Sequence, residues 1–146
     1  MLLPSGRSTP ATGRMNRATI HKTANIAVST AKVWDRIAAV GELDKILPAI
    51  LQCRLEGDTR HCTMADGAAL EEQILSIDPA LMRVAYTITK SPLPMDHHFS
   101  SMQVISEDSH SRLEWFTDVK PDHLKTAVSE MLDQMLDLMV ERLAAT

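Results

Sequence analysis

A carboxylate, a phenol and an imidazole fall on three strand-like segments of this chain: Glu72 in DGAALEEQILSID, Tyr86 in LMRVAYTITK and His98 in MDHHFSSMQVIS. Side chains alternate along a strand and cross-strand partners share a face, so turn lengths decide which of these groups meet. In the segment 81–90, Met82, Val84, Tyr86 and Ile88 alternate with Arg83, Ala85, Thr87 and Thr89, which assigns the first set to a covered face. A three-residue turn, Asp78-Pro79-Ala80, sets Glu72 opposite Tyr86, with Leu70 and Ile74 on the same face. Another, Ala65-Asp66-Gly67, with Gly67 in a left-handed bulge position, sets Arg60 opposite Glu72 and Cys62 opposite Leu70. Two-residue turns at Gly57-Asp58 and Asp108-Ser109 set Cys53 opposite Cys62, Met102 against Trp115 and Val104 against Leu113. The covered face is therefore mostly apolar but carries Arg60, Glu72, His98 and Ser100. Glu72, Tyr86 and His98 on that face can orient a polar ligand group or move protons. The favoured reading is structural, an internal ion pair of Arg60 with Glu72, with Tyr86 bonded to it and His98 an ordinary side chain at a cavity mouth, because ion-pair networks also gather polar groups in clefts.

The elements that must hold these groups can be read along the chain. Residues 17–28 alternate polar and apolar members and predict a first strand. Ser29 or Thr30 then caps a short helix over Ala31–Val40 with Val33, Trp34 and Ile37 on one face. A second short helix, Glu42–Leu47, stops before Pro48. Turn signals divide the next stretch into six strands, 49–56, 59–65, 68–77, 81–90, 96–107 and 110–119, joined by short loops as an antiparallel meander. From Pro121 to Thr146, Leu124, Val128, Met131, Leu132, Met135, Leu138, Met139 and Arg142 recur at helical spacing. The opposite face collects Ser129, Glu130, Asp133, Asp137 and Glu141, so one long amphipathic helix is expected, in need of a covering surface.

Composition narrows the function classes. The chain has 146 residues, enough for one domain over 17–146, and a net charge of −4 with scattered basic residues, which argues against nucleic acid as a partner. Its apolar runs are short and broken by charge, so no membrane-spanning helix is expected. Residues 1–16 are rich in Pro, Gly, Ser and Thr and lack the apolar core of a secretion signal, which predicts a disordered tail and makes Met15 an alternative start. With two Cys and no export signal, a cytoplasmic setting is expected. Cys53 and Cys62 as cross-strand neighbours could form a disulfide, but two reduced, buried thiols are the expectation, because directly paired strand positions disfavour bridge geometry. His61, His97 and His98 do not converge, so no metal is expected. No nucleophile elbow, phosphate loop or dinucleotide fingerprint suggests a cofactor. Seven of the nine Met, at 64, 82, 95, 102, 131, 135 and 139, could form an adaptable ligand wall or fill gaps in a core with two Trp, one Tyr and two Phe. Trp115 reads as a cavity lining and Trp34 as an anchor of the first helix.

One strand, two short helices, six meandering strands and a long last helix resemble, in that order, the helix-grip fold of the START, birch-pollen-allergen and polyketide cyclase/dehydrase superfamily. The run AVSTAKVWDRIAAVGELDKILPAI resembles its first-strand and helix–helix segment. DGAALEEQILSID, then Tyr86, SPLPM and RLEW, also look like the polyketide cyclase/dehydrase pattern, so the resemblance covers about residues 17–143. The resemblance implies an α+β fold, a curved seven-stranded antiparallel sheet wrapped round the last helix. Between them it implies a cavity for a small apolar or amphipathic ligand, lipid-like or aromatic. In the plant abscisic-acid receptors, which look like distant relatives, a pocket carboxylate matches Glu72 and a mouth loop matches SPLPM, including Leu93 and Pro94. The turn at Ala65–Gly67 is too short to be their gate. The expected ligand set is Arg60, Glu72, Tyr86, His98, Met102, Trp115, Met131, Met135 and Leu138. Two other functions stay open: a cyclase, dehydratase or hydrolase using His98 or Glu72 as general base, and an interaction module with a vestigial cavity.

Overall fold

The computed structural model describes residues 18–145, so the expected tail over 1–16 and the alternative start at Met15 lie outside the described residues. Strand β1 is Ala18–Ile26, followed by helix α1, Thr30–Ala38, and a 3-10 helix, Val40–Lys45. Six strands come next: β2 Ile50–Glu56, β3 Thr59–Met64, β4 Ala69–Asp78, β5 Arg83–Lys90, β6 His97–Ser106 and β7 Ser111–Lys120. A short 3-10 turn, Asp122–Leu124, leads into helix α2, Lys125–Ala144. All strands pair antiparallel in one curved sheet of order β1-β7-β6-β5-β4-β3-β2. β1 and β2 therefore occupy opposite edges, and α1 with its 3-10 extension carries the chain from one edge to the other.

Val33 and Ile37, one helical turn apart, bury the inner face of α1. The main core lies between the concave face of the sheet and α2, where Trp115, Leu113 and Val104 meet Leu132, Leu136, Met139 and Leu143. Arg142 reaches from α2 to donate to the Lys45 carbonyl at 3.1 Å, which ties the last helix to the 3-10 segment.

The expected pairings of Arg60 with Glu72, Cys62 with Leu70, Cys53 with Cys62, Met102 with Trp115 and Val104 with Leu113 are all present. Gly57 and Gly67, at φ +62° and +90°, supply the left-handed positions that these turns require. The β4–β5 register differs. Glu72 lies opposite Ile88, and Tyr86 opposite Ile74. The connection is four residues, 79–82, closed by the Leu81 N–H donating to the Asp78 carboxylate at 3.1 Å, with Met82 in the left-handed region at φ +52°. On its own this longer turn would have flipped one strand relative to the other. A β-bulge between Ile74 and Ser76 adds the compensating residue, and Glu72, Ile74, Tyr86 and Ile88 remain on one face.

The buried stripe of α2 is also rotated from its expected position. Val128, Leu132, Leu136, Met139 and Leu143 are buried, whereas Leu138 is 41% exposed. Each residue turns a helix by about 100°, which puts Leu138 roughly 120° from the centre of that stripe. Cys53 and Cys62 are joined in a disulfide, correcting the expectation of two free thiols.

Candidate functional site

Between the sheet and α2 lies a cavity of about 300 Å³. Leu43 and Leu47 close one side, Val128, Met131, Leu132 and Met135 of α2 another, and Pro92, Leu93 and Met95 of the β5–β6 loop a third. The walls are largely hydrocarbon, which is what a site drawing affinity from apolar burial requires.

Into this lining the sheet brings Glu72 from β4, Tyr86 from β5, His98 and Ser100 from β6, and Trp115 and Thr117 from β7. Curvature gathers them because they share the concave face on neighbouring strands. Arg60, on β3, is buried behind Glu72 instead of lining the cavity. Its Nε and Nη2 both contact Glu72 Oε1, at 2.8 and 2.7 Å, and its Nη1 donates to the Val40 carbonyl at 3.0 Å. The guanidinium also lies 5.1 Å from the Tyr86 ring centroid, within cation–π range. Glu72 is 3% exposed. Burial pushes its carboxyl above the ordinary value, and Arg60 opposes that shift by stabilising the charged form.

The second polar group is a hydrogen-bonded chain. The Ile88 N–H donates to His98 Nδ1 at 3.0 Å, and a backbone amide can only donate, so Nδ1 carries the lone pair. The neutral ring therefore holds its proton on Nε2, which donates to Ser100 Oγ at 3.1 Å. Ser100 Oγ is also 2.7 Å from Thr117 Oγ1. Burial, reinforced by the neighbouring His97, lowers the His98 pKa to about 4, in accord with a neutral imidazole. The indole N–H of Trp115 donates to the Tyr86 hydroxyl at 3.2 Å. Burial first, and the Glu72 charge second, push the Tyr86 phenol up to about 12.

Of the residues predicted from sequence, Glu72, Tyr86, His98, Trp115, Met131, Met135 and Leu93 line the cavity. Met102 is buried in the packed core and absent from the lining, and Leu138 faces away. Pro94 is exposed, and the loop presents Pro92 and Leu93 in its place. Ile88, expected on the covered face but not in the ligand set, and Thr117, which had no such expectation, also line the cavity, each two positions beyond a predicted lining residue along its strand. Among the described residues, no group of three or more His, Cys, Asp or Glu side chains could hold a metal ion.

Comparison with known proteins places this geometry. Residues 17–146 match the family model described as polyketide cyclase / dehydrase and lipid transport. No curated protein sequence matches the chain. An uncharacterised protein from Bacillus thuringiensis is similar in structure at TM-score 0.80 and 22% identity, over 86% of this chain and 98% of that one. A START superfamily protein from Mycobacterium smegmatis gives 0.70 at 12% identity, covering 89% and 96%. Norcoclaurine synthase from Thalictrum flavum, in complex with dopamine and hydroxybenzaldehyde, gives 0.63 at 17% identity, covering 97% and 94%. The fold is the helix grip of the START superfamily, and the chain belongs to the polyketide cyclase / dehydrase and lipid transport family.

Proposed function

We propose that this protein binds a small, largely apolar molecule in the cavity between its sheet and α2. The observation that carries the reading is an apolar enclosure of about 300 Å³ with a few polar groups on one wall. That volume lies at the lower end of the usual range for small-molecule sites, and the division into hydrocarbon walls and a polar patch is how such sites separate affinity from orientation. Family membership supports a ligand-binding domain in general terms. Glu72, Tyr86, His98, Trp115, Met131 and Met135 are the proposed contacts, with Leu93 at the mouth.

Binding is favoured over catalysis by the state of the imidazole. His98 has its Nδ1 lone pair engaged by Ile88 and its Nε2 proton given to Ser100, so it has no free lone pair with which to act as a base. An enzymatic reading would have to rest on Glu72.

Native mass spectrometry of freshly purified protein tests the proposal. The expected result is a bound small molecule, lost in a Met135→Trp variant whose indole fills the cavity while the fold persists. A wild-type protein that carries nothing and takes up no apolar probe would overturn it, as would undiminished uptake by Met135→Trp.

A further inference from the structure

The two oxygens of Glu72 are not equivalent. Both Arg60 contacts fall on Oε1, which leaves Oε2 without a protein donor among the described residues. The side chain is almost wholly buried and lines the cavity. A buried carboxylate oxygen without a donor is costly, and a cavity occupant is the group placed to relieve that cost. Of the other polar groups on the same wall, His98 Nε2–H and Trp115 Nε1–H are given to Ser100 and Tyr86, and the hydroxyls of Tyr86, Ser100 and Thr117 bond among themselves. The wall therefore offers an acceptor.

Charge narrows the class further. Arg60 balances Glu72 and also donates to the Val40 carbonyl. A cationic ligand would add an uncompensated buried charge, and an anionic one would face the carboxylate, so a neutral donor fits best. Size sets the last limit. At roughly 30 Å³ per water-sized unit, the cavity holds about ten non-hydrogen atoms, the scale of one or two rings.

Building on the cavity-binding reading, we propose that the ligand is a neutral phenol or alcohol of about ten non-hydrogen atoms whose hydroxyl donates to Glu72 Oε2.

Three probes of matched size test this by calorimetric titration: naphthalene, which is apolar, 2-naphthol, which donates, and 1-tetralone, which accepts. A purely apolar pocket would prefer naphthalene, because the desolvated hydroxyl would gain no partner. The expected result for the wild type is 2-naphthol tighter than naphthalene by about tenfold or more, with 1-tetralone weakest. In Glu72→Gln the amide oxygen stays on Arg60 and the NH₂ turns to the cavity, so 1-tetralone should overtake 2-naphthol. Naphthalene binding as tightly as 2-naphthol in the wild type would overturn the hydroxyl assignment while leaving the cavity reading intact. Failure of all three probes to bind the wild type would overturn both. An unchanged preference for 2-naphthol in Glu72→Gln would place the hydroxyl on another acceptor and overturn the Glu72 assignment.

Discussion

His98 is buried as a neutral ring, which makes it a source of pH-dependent stability. In the unfolded chain its imidazole takes up a proton near pH 6.5, whereas in the fold it resists until about pH 4. Between those values the unfolded state binds more protons, so stability falls as the pH drops, by about 2–3 kcal/mol across the window. Glu72 acts in the opposite sense because burial raises its carboxyl, and the informative quantity is the difference between two proteins. His98→Asn keeps an acceptor for the Ile88 N–H but does not titrate. Urea unfolding from pH 7 to pH 4.5 should show wild-type stability falling relative to this variant, and parallel profiles would remove His98 as the cause. The Arg60–Glu72 pair gives a second test. Arg60→Met strands a buried carboxylate and is expected to destabilise by about 3–5 kcal/mol, whereas adding Glu72→Met should recover most of the loss. Denaturation midpoints of the single and double variants decide the matter.

At the level of elements, the rotation of α2 separates two leucines that look alike in sequence. Leu136→Ala should cost about 2–5 kcal/mol because its side chain is packed against the sheet, and Leu138→Ala should change stability by about 0.5 kcal/mol or less. Thermal denaturation of the pair checks the orientation of the helix directly. The Cys53–Cys62 bridge ties β2 to β3 across a separation of nine residues. Its removal in a Cys53→Ser/Cys62→Ser variant should lower stability by roughly 2–3 kcal/mol through the freed unfolded chain. The pairings of Arg60 with Glu72 and Cys53 with Cys62 were legible in the sequence because glycine-bearing turns fix their offsets. The β4–β5 register was not, because Met82 alternates with Val84 as a strand residue would while its backbone is left-handed. The bulge at Leu75 has no residue type that announces it. Leu138 was misassigned for a related reason: α2 has apolar residues around much of its circumference, and spacing alone could not say which stripe the sheet would cover. Whether Cys53 and Cys62 are bonded likewise lay beyond their spacing, which established only that they are opposed.

Across the whole molecule, the sheet gathers polar groups from several strands into one place. β1 and β2 stand at opposite edges, yet residues from β4, β5, β6 and β7 converge on one cavity because the strands between the edges curve round α2. The site is therefore a property of the curved sheet and not of any one segment. One of its groups is also a lamp. Trp115 is one of two tryptophans in the chain, and it lies in the cavity wall with its indole N–H held by Tyr86. In a Trp34→Phe protein, tryptophan emission comes from that wall alone. A ligand that reaches the cavity should then change the colour and intensity of the emission without any attached dye, so that occupancy becomes visible within the mixing time of the experiment.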